Sequence, residues 1–221
     1  NTDSDLYSTW SGKKVISNEK PLAQNAPSES GPARWQSDID DYDLSGDFTI
    51  ATSFNSQGSG TIISKCAPEG EWTPDSKALF IKGGHLVYDI GWLGTIRTKM
   101  KITGGKTHHV ALTCNDGRVR LFVDGKLAGE KDDFARDDPD GSVLKIGSAA
   151  DDFGGDLDAT ELEFVRFWKR ALPDDELKAL GQGKEANTNT PLLNWKPSAP
   201  GENDSSNQGL WVGAKAGQLN I

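Results

Sequence analysis

The chain has 221 residues, of which 35% are hydrophobic and 25 are Gly, and its 24 Lys and Arg against 33 Asp and Glu leave a formal net charge of −9. That length buries a core without metal or disulfide staples, the apolar content excludes general disorder, and the lack of any apolar run of about 18 residues excludes a membrane-spanning helix. Duplex nucleic acid and anionic membrane surfaces both demand a basic footprint; none stands out, so nucleic acid and membrane insertion are set aside, and sulfated or uronic polymers with them unless calcium or a local basic cluster helps.

The chain opens on Asn1-Thr2-Asp3 with no initiator Met and no basic stretch leading into an apolar block. No secretory leader is visible, and the expectation is a module excised from a longer protein. The first 33 residues are loop-rich, with Trp10, Val15 and Ile16 as apolar anchors.

Short apolar runs then dominate, punctuated by turn residues. Phe48, Ile50 and Phe54 alternate along one predicted strand, and the run 60–65 follows it. Runs at 78–82 and 85–91 are separated by Gly83-Gly84, a two-residue hairpin signal. Val110, Leu112 and Cys114 share one face of the next run, and Asn115-Asp116-Gly117 turns the chain into Val119, Leu121 and Val123. Asp124-Gly125 starts another turn toward 126–129, and runs at 143–147 and 161–168 complete the set. Short strands at this spacing predict an all-β antiparallel sandwich or barrel.

One helix is expected. Pro173 opens Asp174–Leu180, acids fill its first turn, and Gly181 closes it. The tail beyond 183 is polar, yet Trp195 and Trp211 are costly to leave in water. It is expected to lie against the sandwich, with a strand near Leu210-Trp211-Val212.

The residues now carry a resemblance. His108–Thr113, the Asp116-Gly117 turn and Arg118–Leu127 resemble the core hairpin of laminin-G-like domains. Leu162–Leu172, followed by Pro173–Leu177, resembles that family's last strand and closing helix, and Ser45–Ile50 its early strand. These motifs run in order over about residues 43–181. The family belongs to the concanavalin A-like lectin/glucanase group. It implies an antiparallel jelly-roll β-sandwich with one concave face, here one domain over 1–221 with tails packed on it. It also implies an extracellular or cell-surface setting, and a structural calcium held by Asp43, Asp47 and Glu163, with Asp151-Asp152 as a lesser pair. Calcium takes hard oxygen ligands, so carboxylates are the side chains to consider.

Fold alone does not name a function. Tyr88-Asp89-Ile90-Gly91-Trp92-Leu93-Gly94 sets a large ring between two glycines, and Trp72 occupies a loop. Flat rings stack on the apolar face of a sugar while a few polar groups take its hydroxyls. Trp72, Tyr88 and Trp92 are therefore the expected stacking residues, with Asp89 and Arg97 as polar partners. Tyr88 and Trp92 also share strand parity with Leu86 and Ile90, so the core is the alternative for both. Asp156, Asp158 and Glu161 resemble a glucanase carboxylate signature, but they fall on the approach to the last strand. No nucleophile elbow, P-loop or zinc spacing is present. His108 reads as a satisfied core histidine. Cys66 and Cys114 are either two buried thiols or one disulfide. The expected function is non-catalytic binding of a polysaccharide or oligosaccharide, beside other domains of a parent protein. A protein-binding adhesion module and a glycoside-active enzyme are the alternatives.

Overall fold

The computed structural model describes residues 35–184 and 190–197. Twelve strands and one helix follow in chain order: β1 (Trp35–Ser37), β2 (Phe48–Ser56), β3 (Gly60–Cys66), β4 (Lys77–Lys82), β5 (His85–Ile90), β6 (Gly94–Arg97), β7 (Thr107–Asn115), β8 (Arg118–Val123), β9 (Lys126–Lys131), β10 (Val143–Ile146), β11 (Thr160–Trp168), α1 (Asp174–Leu180) and β12 (Leu193–Trp195). They build two six-stranded antiparallel sheets. The first runs β1-β10-β3-β4-β5-β6 and the second β12-β11-β2-β7-β8-β9.

Strand alternation creates the core. Successive side chains point to opposite faces, so Phe48, Ile50 and Phe54 of β2 and Leu79, Ile81, Leu86 and Ile90 of β4 and β5 meet between the sheets. The same alternation sends Ala51, Ala111 and Phe122 outward from the second sheet. There they meet Trp168, Leu172 and the Leu177 and Leu180 side chains of α1. The expected helix is thus a cover for one outer face. Its first turn carries Asp174, Asp175 and Glu176, the sign that a helix N-terminus favours.

The first sheet's outer face has a smaller cover made of loops. Ala78, Phe80 and Val87 form a patch there, with Trp72 and Phe153 packed against it. The Gly83-Gly84 hairpin forms as expected, with φ of 58° and 80°, a left-handed pair that side chains resist. At the other long edge β6 approaches β9: any side chain at Gly129 would run into Ile96.

The tail expectation holds over the described residues. Trp195 is buried, and β12 pairs with β11. Trp10, Val15, Ile16 and the strand expected near Trp211 lie outside the described residues. Both cysteines are buried free thiols. Cys114 points into the central core from β7 of the second sheet, whereas Cys66 ends β3 of the first, its sulfur 3.6 Å from the Ser64 hydroxyl. The disulfide alternative is therefore overturned. Trp168 and His108 are buried, and His108 Nδ1 lies 2.9 Å from Asp124 Oδ2.

Candidate carbohydrate-binding face

The β5–β6 turn carries the most exposed large ring among the described residues. Trp92 is 74% exposed and sits at φ 62°. Leu93 N donates to Ile90 O at 2.9 Å, and Gly91 is held by backbone bonds to Ser76 and Asp75. A bulky side chain in the left-handed region costs on the order of 1 kcal/mol or more and persists where the surroundings impose it. Trp92 gains no burial in return. Its side chain is presented to solvent by a turn anchored on both sides.

Trp72 lies next to that turn. Its Nε1 is 3.1 Å from the point where a Cβ on Gly91 would stand, so the indole can approach only because residue 91 is Gly. The ring is half-buried and stacks on Phe153, with centroids 3.9 Å apart and planes 9° apart. Phe153 in turn meets Phe80 edge-on at 5.3 Å. Two acids fix this arrangement. Asp151 Oδ2 accepts from Gly70 N at 3.0 Å, and Asp152 Oδ1 accepts from Trp72 N at 2.7 Å. Asp151-Asp152, the lesser calcium pair of the sequence, thus spend an oxygen each on backbone donors and clasp two loops together.

Beside the aromatic wall the outer face is open. Asp89 is opposite Thr95 and Val87 is opposite Arg97 across the β5–β6 pair. Thr95 and Arg97 are exposed and Asp89 is half-buried. Burial pushes the Asp89 carboxyl above its ordinary range, while Lys131 and Lys82 pull it back. Lys131 reaches over from β9 and also sits 4.6 Å above the Phe134 ring. Arg97 leans toward the Gly83 turn, its Nη2 lying 3.9 Å from where a Cβ on Gly83 would be. Asp89 and Arg97 therefore share a face but serve different ends of it.

Tyr88 corrects the sequence expectation. It points inward, is 2% exposed, and meets Phe134 edge-on at 6.3 Å. Its parity with Leu86 and Ile90 put it in the core, while Trp92 escaped because the chain leaves the strand at Gly91. Burial pushes the Tyr88 phenol well up, and its hydroxyl has no hydrogen-bond partner among the described residues.

The three proposed calcium ligands are not brought together. Glu163 Oε2 accepts from Ser53 Oγ at 2.6 Å. Asp47 precedes Phe48, so five to six residues of β2 separate the two acids, roughly 17–20 Å at about 3.3 Å per residue. Asp47 Oδ1 accepts from Asp116 N at 2.8 Å and so ties down the β7–β8 turn. Asp43 Oδ1 accepts from Ser45 N at 2.7 Å. Burial would raise the Asp43 carboxyl, but its bonds to Ser45 and nearby Lys169 lower it. Among the described residues no three His, Cys, Asp or Glu side chains converge on a metal position. A cation does fill the oxygen-rich end of the sandwich close to Asp43: the Lys77 ammonium, 1% exposed, bonds Asp138 Oδ1 at 2.6 Å, Asp137 O at 3.1 Å and Asp75 O at 3.3 Å.

Asp156, Asp158 and Glu161 are exposed on the approach to β11 and its first residues. Sequence reasoning missed Phe153, Thr95 and the cations Lys82 and Lys131. Phe153 was legible as an aromatic ahead of Gly154-Gly155 in a charged loop; the cations needed the sheet order.

Residues 38–178 match the laminin-G family model described as the concanavalin A-like lectin/glucanases superfamily. No curated protein matches the chain in sequence. Among solved structures, a putative carbohydrate binding protein from Bacteroides ovatus is similar at 20% identity and TM-score 0.55, covering 76% of this chain and 50% of that one. The CBM40 of a Ruminococcus gnavus IT-sialidase, bound to α2,3-sialyllactose, is similar at 17% identity and TM-score 0.53, covering 69% and 94%. Domain 4 of a GH43 extracellular arabinanase from Geobacillus stearothermophilus, in complex with arabinotriose, follows at 15% identity and TM-score 0.51, covering 64% and 69%. This chain spans half the length of the Bacteroides protein. At these identities the likeness is one of fold.

Proposed function

From the chain's membership of the laminin-G family in the concanavalin A-like lectin/glucanase superfamily, we propose that it is a non-catalytic carbohydrate-binding module. It holds a polysaccharide or oligosaccharide on the outer face of its first sheet. The observation that carries this reading is Trp92, a fully presented ring on a strained, anchored turn. Beside it stand a rigid Trp72–Phe153 wall and the hydrogen-bonding strip of Asp89, Thr95 and Arg97. An apolar platform with a few convergent polar groups suits a sugar ring and its hydroxyls. Similar folds that bind sialyllactose and arabinotriose lend support at the level of architecture. The extracellular setting of the arabinanase domain fits a secreted or cell-surface parent for this chain as well.

The test is a panel of polysaccharides and oligosaccharides against the purified domain, reading binding and release of reducing ends together. Binding without new reducing ends, lost in Trp92→Ala, supports the module. Release of reducing ends promotes an enzyme, with Asp156, Asp158 and Glu161 as the next targets. Silence toward every glycan overturns the reading and turns attention to a protein partner.

A further inference from the structure

The outer face of the first sheet has a second end, marked by charge. Lys82 closes β4, Gly83-Gly84 turns the chain, and Arg97 from β6 leans over that turn. Lys101 comes from the following loop, its Cγ and Cδ about 3.5 Å from where a Cβ on Gly84 would be. Lys99 stands two residues before it, and all four cations are exposed. His85 joins them, its Nδ1 turned to Thr98 O at 2.8 Å, which leaves Nε2 on the outer side of the ring. Several other cations meet carboxylates: Lys77 with Asp138, Arg118 with Glu130, Arg120 with Asp174. None of Lys82, Arg97, Lys99 and Lys101 is in an ion pair among the described residues. A chain with 33 acids and a net charge of −9 thus gathers four exposed cations around one turn, with Asp89, whose carboxyl Lys82 lowers, as the acid on the same face. This is the local basic cluster whose absence counted against acidic polymers in the sequence.

Resting on the proposed sugar-binding face, we infer that its ligand is an acidic glycan whose carboxylate or sulfate lies over the Gly83-Gly84 turn between Lys82, Arg97 and Lys101. The Trp92 end then takes an uncharged ring. Residues 85–92 separate the two ends by roughly 20 Å, which gives the chain of sugars a direction along β5. Arg97 offers a planar fork suited to either anion, and the lysines add mobile point charges.

The test compares matched probes: polygalacturonate with its fully methyl-esterified form for carboxylate, and dextran sulfate with dextran for sulfate. A single-stranded oligonucleotide serves as a polyanion control. The acidic member of one pair is expected to bind at least about tenfold more tightly, to weaken as salt rises, and to fall to the level of its neutral partner in Lys82→Glu/Lys101→Glu. Thermal midpoints show that these exposed changes leave the fold intact. Equal binding of acidic and neutral partners, with the double variant silent, overturns this inference and leaves the sugar-binding reading standing. Oligonucleotide binding as tight as the acidic glycan overturns it too, because the patch then attracts any polyanion. A parent domain that binds no glycan, neutral or acidic, overturns both.

Discussion

The Trp72 indole lies parallel to the Phe153 ring at 3.9 Å, so a residue of the β3–β4 loop and one from the loop after β10 form a single aromatic wall. The stack buries one face of Trp72 and fixes its plane, which lowers the entropy lost when a second flat surface meets its free side. Phe153→Ala removes that backing. Stacked aromatic pairs contribute about 0.5–1.5 kcal/mol beyond area burial. Glycan affinity is expected to drop by several-fold with the sheets intact, measured by calorimetry beside far-ultraviolet circular dichroism. Unchanged affinity assigns Trp72 and Phe153 to loop packing alone.

Trp92 separates stability from function. Gly adopts φ 62° without steric penalty, and the ring it replaces is 74% exposed. Trp92→Gly should therefore leave unfolding free energy within about 1 kcal/mol of the parent. Glycan binding should be lost. Chemical denaturation and a binding titration on the same sample check both halves. A large fall in stability means that the ring supports the turn, and the platform assignment fails.

Tyr88 makes the opposite case. Its hydroxyl is buried without a partner among the described residues, a group that costs about 1–3 kcal/mol to desolvate. Tyr88→Phe keeps the ring and its edge contact with Phe134. The variant is expected to be as stable as the parent or more so, with glycan binding unaltered. A drop of more than about 1 kcal/mol in unfolding free energy shows that the hydroxyl has a role which the packing does not reveal.

The strand alternation of Phe48, Ile50 and Phe54, the Gly83-Gly84 hairpin and the helix Asp174–Leu180 between Pro173 and Gly181 were legible because each depends on neighbours in sequence. Trp92 was legible only in part: it was expected to stack, but parity continued past Ile90 kept the core open as an alternative; the strand ends there, Gly91 turns the chain, and the ring is exposed. Lys65 and Lys77 carried no signal in the sequence, yet both point inward and are buried around Asp138. Burial pulls Lys65 down, and Asp138 and Asp43 push it back up. Only the meeting of β3, β4 and the 137–138 loop reveals that partner, some 60 residues away from Lys77. Asp43, Asp47 and Glu163 lie apart for a related reason. Asp47 and Glu163 flank paired strands, but at different points along β2, a matter of register rather than of residue type.

Lys77 supplies the charge test at that end. Its ammonium satisfies one carboxylate and two carbonyls in a buried setting. Removing one partner of a buried pair costs about 3–5 kcal/mol, because the other charge stays behind. Lys77→Met is expected to lose that much in denaturant unfolding, in calcium and in EDTA alike. Asp47→Ala, which frees Asp116 N, should lose about 1 kcal/mol, again with no calcium dependence. A ligand that binds only the folded state raises stability, so a calcium-dependent difference in either variant would restore the metal site.

Asp89 links the site to pH. Its folded carboxyl is raised above the ordinary carboxylate range, by burial before any charge effect. A raised acid holds its proton longer in the native state than in the unfolded chain. Stability is therefore favoured below the unfolded pKa and declines as pH climbs through the folded one. Asp89→Asn removes this dependence. The variant should be more stable than the parent at neutral pH, and the difference should shrink to nothing as pH falls below about 4. Asn still offers a carbonyl oxygen but no negative charge, so binding of a neutral glycan should weaken by several-fold. An acidic glycan should lose less, because the mutation also removes a like charge from the strip. Unfolding curves at a series of pH values give the first result and paired titrations the second. A parent more stable than Asp89→Asn at neutral pH would mean that Lys82 and Lys131 outweigh burial, and that Asp89 serves the fold before it serves a ligand.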